Sequence, residues 1–433
     1  MKIKLTPLRA AVCAEATLPF DMLLQLQAPA GDYPNASPAP LNLALVIDRS
    51  GSMDGPKLRE AKRCVQMLLD RLNPEDNVAL VQYNDQVENL LEIMPAPAAR
   101  ALVSAGLEAM TAGGTTALHD GWMRGVELLT PGVSAARLSR VILLSDGEAN
   151  SGLVNVEEIC AQVENFANTG VTTTTVGLGV DFNESLMAGM ATAGHGGAHY
   201  GERASDLAEA FETELDLMKN LAWKSVRLHI LHQEGIKVVN DYPKQGHAWR
   251  LPSIAVGSEA WALLRIPMKL AIELTAGREQ VSIQIEAEDC EGQTQRFTAP
   301  FPTLPLVDLN AYEALVKDEL TNRRSRELEA AAIQARAAVA ARKGDWVEVG
   351  RLIEELNELG KENPWIAASI AFLKKLLAQR DQERMTKEMA YKSSAFNRRI
   401  NSIDEPVSFC LAEEAEKPSF LRRKSEQGRK SGH

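Results

Sequence analysis

The sequence predicts an open, doubly wound α/β domain inserted in an antiparallel β-sandwich and followed by a C-terminal α-helical region. Three observations carry this reading. Between Leu41 and Met218 short apolar runs alternate with amphipathic helical patterns. On both sides of that stretch the chain alternates at the strand period, with Pro and Gly punctuation. From Asn310 onward the period is helical. At 433 residues the chain exceeds one ordinary core, so several domains are expected.

In chain order, LTPLRAAVCAEATLPFDMLLQLQAP (Leu5–Pro29) reads as β, and PAGDYPNASPAP (Pro29–Pro40) as a linker. LNLALVI (Leu41–Ile47), NVALVQY (Asn77–Tyr83), RVILLS (Arg140–Ser145) and VTTTTVGLG (Val171–Gly179) are short, rich in Val, Leu, Ile or Thr and bounded by polar turns, as buried parallel strands are. QVENLLEI (Gln86–Ile93) follows its predecessor too closely for a crossover and predicts an antiparallel edge strand. Helices are expected at Pro56–Leu72, Thr116–Leu129 and Val154–Gly170, the first with Pro56 in its opening turn and Asp54 helping to cap it. GHGGAHY (Gly194–Tyr200) reads as a loop leading to a last strand. Its glycines forbid a helix, so the four-residue spacing of His195 and His199 does not make a metal pair.

Trp223–Pro305 reads as β again, and its His229, His232 and His247 lack ligand spacing. Beyond it, GDW at 344–346 and NPW at 363–365 mark corners between antiparallel helices. The Ala-, Arg- and Glu-rich helix near Arg323–Arg342 reads as a solvated face with an apolar stripe. The expected organisation is therefore sandwich strands at 1–40, the α/β domain at 41–220, the sandwich remainder at 221–308, a helical hairpin or bundle at 309–392 and a flexible basic tail at 393–433.

Composition excludes several classes. A formal charge of -11 makes nucleic acid an unexpected partner, because phosphate neutralisation needs clustered Lys and Arg, and only the tail Lys417–His433 is locally basic. No leader and no membrane span are expected. Cys13, Cys64, Cys160, Cys290 and Cys410 are odd in number and scattered, which fits free thiols in a reducing cytoplasm. There is no nucleophile with its base and no phosphate-binding lysine loop, so no enzyme is expected.

DRSGS (48–52) follows a parallel strand and so sits at the carboxyl edge of the sheet, where open α/β sheets bind ligands. TAGGTT (Thr111–Thr116) and SDGEAN (Ser145–Asn150) come from the same edge. Alone, DRSGS is equally a turn capping the next helix. With the other two loops it offers Asp48, Ser50, Ser52, a threonine and Asp146, a set of hard oxygens that selects Mg²⁺, Ca²⁺ or Mn²⁺ over zinc.

D-x-S-x-S after the first strand, a Gly-Gly-Thr loop and an L-x-D-G loop, in that order, resemble the metal-ion-dependent adhesion site of the von Willebrand factor type A (VWA) domain. The resemblance covers about residues 40–220 and implies a Rossmann-like fold. It implies that Ser50, Ser52 and Thr115 ligate Mg²⁺, with Asp48 and Asp146 bound directly or through water; Thr116 replaces Thr115 if the loop register is shifted by one. Asp120 and Glu148 could support the metal from further out. Arg49, in the variable slot, either steers an acid or points into solvent.

The resemblance also implies a function. A partner's Asp or Glu would complete the metal shell, making the protein a cytoplasmic interaction scaffold. The flanking regions are similar to those of bacterial cytosolic proteins linked with AAA+ ATPases, Ser/Thr kinases or phosphatases. Two alternatives stay open: an accessory subunit of an AAA+ chelatase or remodelling complex, and metal-assisted hydrolysis at the same site. An exported adhesin is disfavoured by the missing leader and unpaired cysteines.

Overall fold

The computed structural model describes residues 1–29, 40–134, 137–146, 149–178, 183–201, 215, 218, 221–231, 235–277, 281–289, 292–361, 364–380, 382, 385–386 and 389. The linker's residues 30–39, the tail from 393 on, Cys290, Cys410 and Glu148 lie outside these. The described residues divide into two compact units, one within Asn35–Asn220 and the other of Met1–Pro34 with those from Leu221 on.

The first unit is built on one six-stranded sheet. Its strands are Leu41–Asp48 (β3), Asn77–Tyr83 (β4), Val87–Pro95 (β5), Leu138–Ser145 (β6), Val171–Leu178 (β7) and His195–Gly201 (β8), in the order β5-β4-β3-β6-β7-β8. All neighbours are parallel except β4 and β5, which pair antiparallel as the short connection requires. Central β3 is buried along its whole length, so its residues other than Asn42 and Asp48 are apolar on both faces. Leu41, Leu43, Leu45 and Ile47 pack with Leu58, Ala61, Val65, Leu68 and Leu69 of Pro56–Arg71 (α1), and with Ala99, Val103 and Leu107 of Ala96–Ala109 (α2). Leu118–Leu129 (α3) covers the alternate residues, since Cβ atoms at Gly125 would meet Val46 and Ala44. Val156–Asn168 (α4) lies beside it through Trp122 and Phe166, whose rings meet edge to face at 5.9 Å. Glu184–Ala193 (α5) packs on α4 and β7.

Four local expectations are corrected here. Past Gly194, the expected loop is a strand: His195–Gly201 form β8, and its glycines allow close approach, because a Cβ at Gly196 would lie 2.2 Å from the Thr173 carbonyl oxygen. α2 and α5 were not foreseen. α3 begins at Leu118 rather than Thr116. Asp54 does not cap α1, whose N-cap is Gly55 at φ 78°, a left-handed conformation that favours glycine.

In the second unit, Lys2–Pro7 (β1) and Phe20–Gln27 (β2) share a sheet with strands from beyond residue 221, Lys237–Val238 (β10) and Glu259–Ile266 (β14), in the order β1-β2-β14-β10. The other sheet contains Leu221–Leu231 (β9), Lys244–Gln245 (β11), Ala248–Arg250 (β12), Ser282–Glu288 (β15) and Thr294–Ala299 (β16), with Ile254–Ala255 (β13) pairing β9. Met22, Leu24, Leu26, Ala262 and Leu264 meet Val226, Leu228, Ile283 and Ile285 in one core, as facing sheets of a sandwich do. A short helix not foreseen in this β region, Met268–Thr275 (α6), adds Met268, Ala271 and Leu274 to that core.

The opposite face of the first sheet, Leu23, Trp261 and Leu263, packs on Leu328. Leu328 belongs to Glu319–Arg342 (α8), which follows Leu309–Ala314 (α7). The α8 helix is not a solvated face. Arg324 and Glu327 are buried, with Arg324 3.1 Å from Glu327, 3.7 Å from Glu259 and stacked 4.6 Å over Trp261. Its alanines then pack with Trp346–Gly360 (α9) and Pro364–Gln379 (α10). At the GDW corner Gly344 has φ 71° and Asp345 caps α9 by accepting from the Glu348 N–H.

Candidate metal centre

β3 ends at Asp48, and the chain turns at once into a single 3₁₀ turn, Gly51–Met53. Asp48 is fully buried. Its Oδ1 accepts from the Ser50 N–H at 2.8 Å, fixing the turn, and its Oδ2 accepts from the Ser145 hydroxyl at 2.6 Å, tying β3 to the end of β6. The Ser50 and Ser52 hydroxyls lie 3.1 Å apart.

Backbone bonds bring the second loop onto the first. Gly113 N–H donates to the Arg49 carbonyl and Gly51 N–H to the Gly114 carbonyl. Gly114 has φ 79°, and a Cβ there would fall 2.1 Å from Asp85 Oδ1, so only glycine fits the passage. Thr115, next in sequence, is exposed, whereas Thr116 is buried. Asn84, after β4, donates from its side-chain amide to the Gly113 carbonyl at 2.8 Å and accepts the Ala117 N–H through its backbone carbonyl. Asn150 accepts the Thr116 N–H at 2.7 Å, joining the second loop to the third. Arg49 is drawn to Glu88 on β5, 3.5 Å away. Asp120 is exposed and paired with His119.

Asp146 is buried directly after β6. Lys57 Nζ donates to its Oδ2 at 3.0 Å, while Oδ1 has no hydrogen-bond partner among the described residues. Asp48, Asp146 and the serine hydroxyls thus belong to loops fastened together by hydrogen bonds. Sequence reasoning missed Asn84, Asn150 and Lys57. The only local signal for them was polarity within two residues of a strand end or loop, shared by many surface residues.

Burial pushes the Asp48 carboxyl up to about 6. The hydrogen bonds from Ser145 and Ser50 oppose this, and the nearby charge of Asp146 adds to it. Burial, reinforced by the Asp48 charge, also raises the Tyr83 phenol well above its ordinary range. Two acids held in a dry place favour a cation between or beside them.

The donors fit a hard divalent ion. All are oxygens, and the buried Asp146 Oδ1 has no partner among the described residues. The serine separation of 3.1 Å is close to the spacing of about 2.9 Å between adjacent ligands of an octahedral Mg²⁺ shell.

This is an open α/β domain with an oxygen-lined cluster at the carboxyl edge of its sheet. Residues 42–213 match the von Willebrand factor type A domain family, and the chain carries a VWA domain. Over 190 residues it is 29% identical to an uncharacterized protein of Synechocystis, covering 44% of each chain. Over 179 residues it is 31% identical to inter-alpha-trypsin inhibitor heavy chain H3 of Homo sapiens, covering 39% of this chain and 20% of that one. The chain thus spans less than half the length of these relatives.

Among solved structures, a von Willebrand factor type A protein from Catenulispora acidiphila superposes with a TM-score of 0.66 at 17% identity, covering 86% of this chain and 89% of that one. The ArnB paralog VWA2 from Sulfolobus acidocaldarius gives 0.59 at 18% identity, covering 91% and 99%. Both matches extend beyond the α/β unit and show the shared fold. Domains of this family commonly mediate metal-dependent protein–protein interactions. Among the described residues no helix is long and apolar enough to cross a membrane.

Proposed function

We propose that this protein is a non-enzymatic interaction scaffold that grips an Asp or Glu of a protein partner through a divalent cation at the DRSGS edge, Mg²⁺ in the first instance. The observation that carries this is the buried Asp146 Oδ1, unpartnered among the described residues, beside a second buried acid. Ser50, Ser52 and Thr115 would hold the ion, with Asp48 and Asp146 bound directly or through water. When bound, the ion supplies an electrophilic position for an incoming carboxylate, since hydroxyl and water ligands leave it under-neutralised.

The chain's own residues do the rest. Asp48 sets the Ser50 turn, Asn84 and Asn150 hold the threonine loop, and Ser145 fixes Asp48. A reducing, cytoplasmic setting is supported by Cys13, buried as a free thiol.

The test is a pull-down on the immobilised full chain in Mg²⁺ or EDTA, read by mass spectrometry, beside Asp146→Ala. Partners retained in Mg²⁺ should be lost with EDTA and with the variant. Partners that survive both treatments overturn the reading. Recovery of an AAA+ ATPase, a kinase or a phosphatase in the Mg²⁺-dependent set would identify the partner class.

A further inference from the structure

Lys57 is the one described cation in contact with the acid pair. It stands in the first turn of α1, its side chain 21% exposed against 1% for Asp146, and its Nζ is 3.0 Å from Asp146 Oδ2. Arg49, the other nearby cation, already faces Glu88. One oxygen of Asp146 is therefore held by an ammonium that the fold itself provides, and the other is left for a ligand.

We propose that Lys57 is a resident counter-charge that weakens metal binding at this edge and makes it depend on the partner's acid. This rests on the metal reading above. With Lys57 beside them, the two carboxylates are already half neutralised. A divalent ion then brings the cluster to an excess of one positive charge, which an arriving carboxylate removes. Without Lys57 the metal alone would balance the two acids, and the arriving carboxylate would meet no excess charge. Metal and acid binding are thus coupled, and the coupling is reciprocal.

Two effects of Lys57 oppose each other. Holding Asp146 in one rotamer helps a metal, but fixing a short side chain is worth only a few-fold in affinity. A full positive charge one carboxylate away from a divalent ion works against it by about tenfold or more, even at the dielectric of a protein surface. Repulsion wins, so removing the charge should tighten metal binding.

Isothermal titration of the full chain with Mg²⁺ and Mn²⁺, with and without acetate as a carboxylate probe, tests this. Wild type, Lys57→Met and Lys57→Arg are compared. Lys57→Met should bind metal about tenfold more tightly in the absence of acetate and gain less from its addition. Lys57→Arg, which keeps the charge, should follow wild type.

A second readout has the opposite sign. In EDTA, Lys57→Met should melt below wild type, because its two acids lack a counter-ion, and Mg²⁺ should reverse the order. If Lys57→Met does not fold, as judged by circular dichroism, Lys57→Gln takes its place. Equal or weaker metal binding by the uncharged variant, alongside measurable binding by wild type, overturns the role of Lys57 and leaves the metal reading standing. No metal binding by any of the proteins overturns both.

Discussion

Asp48 accepts hydrogen bonds from the Ser50 N–H and the Ser145 hydroxyl, yet its carboxyl is still raised from 3.8 to about 6. The cost of burying its charge exceeds what two hydrogen bonds return. Between those two values the folded protein holds a proton that the unfolded chain has released. This group therefore makes metal-free stability fall as pH rises from about 4 to about 6, and above that the loss is complete. Asp48→Asn cannot ionise and escapes the loss. In EDTA it should exceed wild type by up to roughly 3 kcal/mol near neutral pH, with the gap closing towards pH 4. Urea denaturation across that range would measure it, and a gap independent of pH would show that ionisation is not its cause. The serines and aspartates of this edge were legible in the sequence because each follows a recognisable strand. Lys57, Asn84 and Asn150 were not, since what they do exists only once three distant loops meet.

At the scale of the element, α3 sits close to the sheet because its inward positions include two glycines four residues apart. A Cβ at Gly121 would lie 2.4 and 2.5 Å from ring atoms of Tyr83, which is fully buried and cannot retreat. Alanine in place of glycine in an exposed helix would gain about 1 kcal/mol. Here overpacking costs about 1 to 3 kcal/mol and dominates. Gly121→Ala should therefore unfold at lower urea and, by moving the end of β4 that carries Asn84, weaken Mg²⁺ binding in the same titration.

The same scale explains which elements could be read in advance. β3, β4, β6 and β7 announce themselves as apolar runs, and α1 as a regular apolar stripe. α2 escaped notice because part of its buried face is Ala96 and Ala99, which barely contrast with an Ala-rich exposed side. β8 escaped because glycine usually signals a turn, whereas here the absence of Cβ atoms is what permits pairing against Thr173.

For the whole molecule, the decisive fact is that β2 and β14, more than two hundred residues apart, are neighbours in one sheet while the α/β unit lies between them in sequence. A fragment of residues 40–220 contains a complete sheet, its covering helices and all three loops. It should fold cooperatively and bind Mg²⁺ like the full chain. Removing residues 1–39 instead deprives the sandwich core of Phe20, Met22, Leu24 and Leu26 and bares the edge of β14. That truncation should aggregate, as gel filtration would show.

The insertion also decides how the chain bears tension. Pull between Lys2 and Arg342, and the load enters through the β1–β2 ladder and passes from it into the β2–β14 ladder from Phe20↔Ile266 to Gln27↔Glu259. The α/β unit hangs in the slack of that closed circuit and feels no stretch until the ladder tears. A grip formed at the DRSGS edge would stay unloaded while the sandwich alone carries the strain.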